Sequence, residues 1–121
     1  MDIYVSAIVV NTNYGIGKIL DVGADWGLTD PQTGIFHADT RYNFQTHDGA
    51  NIFLQTSGPA QPNGGLQLRG LFETGDKEYY WLNNIVAIGT LKNVDTDDEG
   101  FTLRIDIWHV SIDLECYQMT W

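Results

Sequence analysis

Two alternating segments flank a tight-turn signal in the first half of the chain, and this arrangement limits the fold more than any other feature. The first covers residues 35–46 and the second residues 51–57, with His47-Asp48-Gly49 between them. An Asp-Gly step between two such segments is a strong signal for a β-hairpin. Strand side chains alternate between two faces, so Ala38, Thr40, Tyr42 and Phe44 share one face and the odd-numbered residues 37–45 share the other. The sequence predicts a two-faced hairpin here.

Further strand-like segments follow one another at regular spacing along the chain. They cover residues 3–10, 18–22, 66–72, 79–91 and 101–110, and the tail 112–121 is a candidate closing strand. Residues 11–17, 29–34, 73–78 and 95–100 carry turn chemistry, and the Gly- and Pro-rich segment 57–65 is interpreted as a mobile mouth loop. This pattern favours an all-β antiparallel barrel or sandwich of about eight or nine strands without a helix. At 121 residues the chain, 1–121, is predicted to be one domain.

Charge and cysteine content exclude several classes of protein. The net charge is −10, with six Lys and Arg residues against sixteen acids. A nucleic-acid binder needs a basic surface, and anionic membranes repel an acidic one, so neither partner is expected. Cys116 is the only cysteine, and the amino-terminal segment does not have the pattern of a signal peptide, so a cytoplasmic location is expected. The three histidines lack metal-ligand spacing, so no metal site is predicted.

Five short motifs occur in a fixed order within residues 19–91. They are GADW at 23–26, DTRY at 39–42, T-x-DGA-x-I at 46–52, RGLFET at 69–74 and WLN at 81–83. Together they resemble the domain-of-unknown-function family 3237. The resemblance implies a small β-barrel, of calycin or lipocalin type, more firmly than it implies a reaction. Members of that family have more sequence before GADW. If a strand is missing, a homodimer contact or the tail 112–121 would cover the exposed edge.

Four charged residues are the candidate catalytic groups: Asp25, Asp39, Arg41 and Arg69. An arginine can hold an oxyanion, and an aspartate can accept or donate a proton. The alternation alone predicts that the side chains of Asp39 and Arg41 face solvent. The match of DTRY to a family motif favours a position in which they line a pocket instead. Arg69 is a candidate for an ion pair with Asp25 or Asp39 or for an anionic group of a ligand. Asp25 is either an acid at a barrel mouth or a turn-capping residue.

Aromatic residues and one amide are the candidate substrate-binding groups. They are Trp26, Tyr42, Phe72, Tyr80, Trp81 and Asn83. The alternative is that the aromatic residues belong to the core and that Asn83 serves a turn. The sequence lacks a Gly-x-Ser-x-Gly motif or an activating partner for Cys116, so covalent catalysis is not indicated.

These expectations favour a cofactor-free enzyme of small-molecule metabolism. An aspartate would move a proton while arginines hold an enolate, phenolate or carboxylate, as in dehydration, isomerisation or cyclisation of a small, largely apolar substrate such as an aromatic, polyketide-like or terpenoid-like molecule. This hypothesis expects the charged side chains to converge inside the barrel. A non-catalytic carrier of the same ligand and a structural or assembly protein with a filled barrel are the alternatives.

Overall fold

The computed structural model describes residues 2–8, 17–97 and 100–110, and within them the side chains of residues 17–93 and 103–110. These ranges form strands and one short 3-10 helix. The strands are β1 (Asp2–Ile8), β2 (Gly17–Asp25), β3 (Leu28–Thr29), β4 (Phe36–Thr46), β5 (Asn51–Pro59), β6 (Leu66–Glu73), β7 (Val86–Asp97) and β8 (Gly100–Val110), and the 3-10 helix is Tyr80–Asn84. The all-β prediction is confirmed. The described ranges contain no helix long and apolar enough to cross a bilayer.

One sheet contains all the strands, in the order β1-β8-β7-β6-β5-β4-β2, with β3 paired to β4 beside β2. Neighbouring strands run antiparallel except β1 and β8, which run parallel. Strands β1 and β2 are therefore the two edges. Within the described ranges no ladder joins them, so the sheet is open there.

The β4–β5 hairpin forms where the sequence predicts it. Gln45 lies opposite Asn51, and Thr46 donates its backbone N–H to the carbonyl of Ala50 at 2.9 Å. Gly49 has φ of 90°, which a residue with a Cβ rarely adopts. The Asp-Gly step thus fixes the register of the two strands, and this register decides which side chains meet on each face.

The even-numbered face of β4 packs into the core. Tyr42, Phe44, Leu54 and Phe72 belong to one cluster of buried side chains that also includes Ile105 of β8. Strands from both halves of the sheet share this cluster, so the sheet curls around it. Burying each large apolar side chain contributes about 1.5–3 kcal/mol. The concave side of the sheet is filled by the protein's own side chains.

Two predicted boundaries are wrong, and each has a local cause. Residues 79–91 do not form one strand, because Tyr80–Asn84 is a 3-10 helix before β7. Asn83 explains this turn, since its side-chain amide exchanges two hydrogen bonds with the backbone of Thr74, at 2.8 and 2.9 Å.

Segment 57–65 is not a long loop, because β5 continues to Pro59 and only residues 61–65 turn. A Cβ on Gly58 would overlap the carbonyl of Gln67. The glycine is therefore needed for the close approach of two strands. A glycine-rich composition is found both at such close approaches and in flexible loops, so composition alone did not identify the strand.

Other predicted segments hold with shifted ends. Strand β2 extends past the predicted 18–22. Of the predicted acidic turn at 95–100, residues 95–97 belong to β7 and Gly100 to β8, and the other two lie outside the described residues. The end of the predicted first strand at 9–10, the turn at 11–16 and the tail 112–121 lie outside the described residues.

Candidate functional site

The GADW and DTRY segments meet on the polar face of the sheet. The Nη1 atom of Arg41 lies 2.9 Å from Oδ1 of Asp39. The guanidinium carbon of Arg41 lies 4.7 Å from the ring centroid of Trp26. This distance is typical of a cation–π contact. Gln55 of β5, which lies opposite Arg41, donates to the same Oδ1 of Asp39 at 3.4 Å. We call these four residues the Arg41 cluster.

Asp25 supports this cluster through the backbone. Its Oδ1 accepts hydrogen bonds from the N–H groups of Gly27 at 2.8 Å and Asp39 at 3.1 Å. The N–H of Trp26 donates to the carbonyl of Asp39 at 2.8 Å. The end of β2 is thereby fastened to β4, and the Trp26 ring is held beside Arg41. The geometry agrees with the turn-capping interpretation of Asp25.

Asp39 and Arg41 face away from the core. Their side chains are 42% and 35% exposed, respectively, whereas the side chain of Tyr42, the next residue of β4, is buried. The expectation that the charged groups converge inside the sheet is wrong. The physical reason is the alternation itself: the inward positions of β4 are taken by apolar side chains, and an ion pair on that side would lose its hydration. Their chemical roles remain predictions.

Arg69 lies on the same polar face, two strands away. Ser57 is opposite Asp39 in one ladder and opposite Arg69 in the next. Two strand spacings place the Cα atoms of Asp39 and Arg69 about 10 Å apart. The ion pairs of the described residues do not include Arg69, whose side chain is exposed. Arg41 and Arg69 therefore stand on either side of Ser57 and Gln55.

The predicted binding residues divide into four groups. Tyr42 and Phe72 belong to the core, on the opposite face from Arg41, and Trp81 packs against that core. Tyr80 is exposed. Asn83 has its amide engaged by the backbone of Thr74. Of the six residues, the structure brings only Trp26 into contact with Arg41.

An open groove of about 840 Å³ adjoins the Arg41 cluster on the polar face. Its lining includes Leu20, Val22, Phe53, Leu71 and Glu73, together with three of the predicted binding residues, Phe72, Tyr80 and Asn83. Leu71 lies opposite Gln55, which lies opposite Arg41, so groove and cluster share one row of the sheet.

Sequence reasoning missed Gln55, Ser57 and Leu71 as site residues. The signal was present in the hairpin: counting outward from the Asp-Gly turn places Gln55 opposite Arg41 and Ser57 opposite Asp39.

The core face contains a small group of buried hydroxyls beneath the cluster. The hydroxyl oxygens of Thr40 and Thr56 lie 2.5 Å apart across the β4–β5 ladder. Burial raises the pKa of Tyr42, and a hydrogen bond with Thr40 partly offsets this effect. The phenol is therefore neutral at physiological pH. In the described part of the chain, no group of three or more His, Cys, Asp or Glu side chains is arranged to hold a metal.

Fold and site together define a small all-β protein with an arginine–aspartate–tryptophan cluster on the polar face of its sheet. The chain belongs to the family described as "Protein of unknown function (DUF3237)", whose model matches residues 8–71. The matched residues include GADW, DTRY and the β4–β5 hairpin, which together carry the four residues of the Arg41 cluster. The resemblance read from the five motifs is confirmed.

Two curated proteins are similar to parts of the chain. A hydroalkoxylation enzyme of Penicillium herquei is 44% identical over 61 residues, which cover 50% of this chain and 38% of that protein. A UPF0311 protein of Rhodopseudomonas palustris is 29% identical over 91 residues, covering 61% of this chain and 59% of that protein. The matched regions thus span roughly two-fifths to three-fifths of the relatives' lengths.

Two solved structures share the fold. A β-barrel-like protein from Acinetobacter baumannii superposes with a TM-score of 0.57 at 28% identity, covering 70% of this chain and 75% of that one. A conserved protein of unknown function from Rhodopseudomonas palustris gives a TM-score of 0.60 at 23% identity, covering 75% and 68% of the two chains. The second similarity concerns the fold alone.

Proposed function

We propose that this protein is a cofactor-free enzyme acting on a small, largely apolar substrate. It adds the O–H of a hydroxyl group of the substrate across a carbon–carbon double bond of the same molecule. The observation that carries the proposal is the Arg41 cluster beside an apolar groove. The similarity to a protein named a hydroalkoxylation enzyme supports it. The broader class is acid/base chemistry of the lyase, isomerase or cyclase type.

The reaction needs only proton transfer and charge stabilisation. The hydroxyl oxygen forms a bond to one alkene carbon, and the electron pair of the double bond moves to the other alkene carbon. The hydroxyl proton is finally bound to that second carbon. The net oxidation state of the substrate is unchanged, so neither an oxidant nor a reductant is required. A base near the hydroxyl and a cation near the developing enolate or phenolate would lower the barrier.

Asp39 is arranged to serve as that base. Both Arg41 and Gln55 donate to its Oδ1 atom, and this arrangement leaves Oδ2 for the substrate hydroxyl. Asp39 takes the hydroxyl proton and returns it to the carbon that carries the negative charge. Arg41 and Arg69 hold the oxyanion that forms meanwhile, and Asp25 keeps the cluster in position through the backbone of Asp39.

The test uses 2′-hydroxychalcone, whose phenol adds to its own enone and gives a flavanone. The protein is expected to accelerate ring closure over buffer. Asp39→Asn should lower kcat by about 10²–10⁴-fold, the usual contribution of a positioned base. Arg41→Gln should lower kcat and raise KM. Lys92→Gln, which removes an exposed cation of β7, is the control and should match the parent protein. Unchanged turnover in Asp39→Asn, or ring closure at the buffer rate with the parent protein, contradicts the proposal.

We also propose that the sheet closes into a barrel in the working protein. Strands β1 and β2 are the two ends of the path and would meet on closure. The fold shared with a β-barrel-like protein supports this.

Two alternatives are each favoured by one observation. A non-catalytic carrier is favoured by the stacking and ion pairing of Arg41, which suit the fixed binding of an anion. A structural or assembly protein is favoured by a concave side filled with its own side chains. Equal loss of binding and turnover in Asp39→Asn would indicate the carrier, and an absence of ligand binding would indicate the assembly protein.

A further inference from the structure

We infer that the ligand is an elongated amphipathic anion, with its anionic group at Arg41 and its apolar body in the adjoining groove. The inference rests on the proposed function in placing the ligand at the Arg41 cluster, where its anionic group lies beside the hydroxyl that reacts. It adds the chemical class and the orientation of the molecule.

Apolar side chains are exposed along the groove on the polar face. Leu71 is 49% exposed, and the groove also exposes Val22 and Tyr80. Water in contact with these groups is unfavourable, and a ligand that covers them regains that free energy. A groove of about 840 Å³ accommodates a small molecule of several linked groups.

The charges around the groove differ between its two ends. In a chain with a net charge of −10, Arg41 and Arg69 stand on the face that carries the groove. Glu73 lines the groove and follows Leu71 along β6 by two residues, away from Arg69. Because Asp39 offsets the charge of Arg41, Arg69 supplies the net positive charge at this end, and an anion is attracted there and repelled at the Glu73 end. The charges give the ligand one orientation.

The distance between Arg41 and Leu71 sets the minimum length of the ligand. Arg41, Gln55 and Leu71 are opposite one another on three consecutive strands. Two strand spacings place the Cα atoms of Arg41 and Leu71 about 10 Å apart. A carboxylate at the Arg41 guanidinium therefore needs a linker of several bonds before its apolar end covers Leu71. Short anions cannot use both halves of the site.

The experiment measures the Kd of phenylacetate, 4-phenylbutyrate, 6-phenylhexanoate and the neutral 6-phenylhexan-1-ol by calorimetry at pH 7. The acids should bind about two- to fourfold more tightly for each added methylene. The alcohol should bind about tenfold more weakly than the acid of the same length.

Two variants separate the halves of the site. Arg41→Gln should abolish the difference between acid and alcohol and leave the dependence on chain length. Leu71→Ser should flatten the dependence on chain length and leave the acid–alcohol difference. Ile88→Ser is the matched control, because Ile88 is an exposed residue of the same face, opposite Arg69 and outside the groove lining. Lys92→Gln controls for the loss of a positive charge.

The inference would be overturned by any one of three results. The dependence of Kd on chain length is reduced equally in Ile88→Ser and Leu71→Ser, the acid–alcohol difference survives in Arg41→Gln, or none of the probes binds. Failure of the proposed chemistry is a different result: the binding pattern stays as described, but the chalcone assay shows no catalysis. If catalysis is seen without the length or charge dependence, the ligand class alone is wrong.

Discussion

At the scale of single residues, the carboxylate of Asp25 is engaged by the backbone beside the Arg41 cluster. Its Oδ1 accepts N–H groups from Gly27 and Asp39. An amide oxygen can accept the same two hydrogen bonds, whereas a methyl group cannot. The side chain is therefore interpreted as a positioning group.

This interpretation predicts different outcomes for two substitutions of Asp25. Asp25→Ala should lower the free energy of unfolding by about 1–2 kcal/mol, since two backbone donors lose their acceptor. Asp25→Asn should retain most of the stability. Urea unfolding measures both, and the cation–π contact of Trp26 can be followed by its fluorescence. A protein that folds normally as Asp25→Asn but loses all turnover would instead assign proton transfer to Asp25.

At the scale of elements, the β4–β5 hairpin joins the core to the polar face. Thr40 and Thr56 bond to each other on the buried side, and Arg41 and Gln55 are opposite each other on the polar side. A buried hydroxyl that loses its partner is destabilising, whereas loss of both partners together is much less so.

We therefore expect non-additive substitutions at this pair. Thr40→Val and Thr56→Val should each lower the free energy of unfolding by about 1–3 kcal/mol. The double variant should lose clearly less than the sum of the two losses. Urea midpoints at constant slope give all three values, and strict additivity would show that the hydroxyls do not interact.

A second element-scale contact fastens the 3-10 helix to the hairpin turn. The Tyr79 hydroxyl donates to the Asp48 carboxylate, 3.1 Å from Oδ2, and Thr46 donates to the same carboxylate. The hydrogen bond from Thr46, followed by that from Tyr79, lowers the pKa of Asp48 below its ordinary value of 3.8. Tyr80, which lines the groove, begins the helix that this contact holds.

The pH dependence follows from the sign of this shift. A carboxylate with a lowered pKa in the folded protein stabilises it above the unfolded value, and the effect disappears as the pH falls through the folded pKa. The Tm of the parent protein should therefore fall more steeply below about pH 4 than that of Asp48→Asn. Tyr79→Phe should reduce the difference, and parallel Tm curves for parent and Asp48→Asn would refute the coupling.

Alternation and turn chemistry predict the elements that depend on local rules. The hairpin, the two-faced β4 and the apolar positions of β5, β6 and β8 follow from period-two patterning and an Asp-Gly step. The 3-10 helix at Tyr80–Asn84 does not follow from these local rules, because it depends on hydrogen bonds between the side chain of Asn83 and the backbone of Thr74, nine residues earlier.

The site was predicted in part for the same reason. Motif order identified Trp26, Asp39 and Arg41, which the structure brings together. The face on which they lie was misjudged, although the alternation of Tyr42 and Phe44 already indicated it. The groove is lined by residues from β2, β4, β5, β6 and the 3-10 helix, and pattern alone does not bring these elements together.

At the scale of the whole molecule, the net charge of −10 acts against the folded state through self-repulsion. Raising the salt concentration from about 10 to 200 mM shortens the Debye length from roughly 30 Å to below 10 Å. The Tm at pH 7 should rise by roughly 2–5 °C as repulsion is screened. Near pH 4, where about half of the carboxylates are protonated, the rise should largely vanish. A Tm that falls with salt at pH 7 would show that attractive ion pairs dominate.

The parallel pairing of β1 with β8 has a consequence for how the protein is made. Asp2 lies opposite Thr102, so β1 is synthesised about a hundred residues before the strand with which it pairs. Contacts between such distant segments slow folding, because a large loop must close first. During synthesis, the backbone of β1 therefore stays without its partner strand until β8 has been made, which gives chaperones time to bind it.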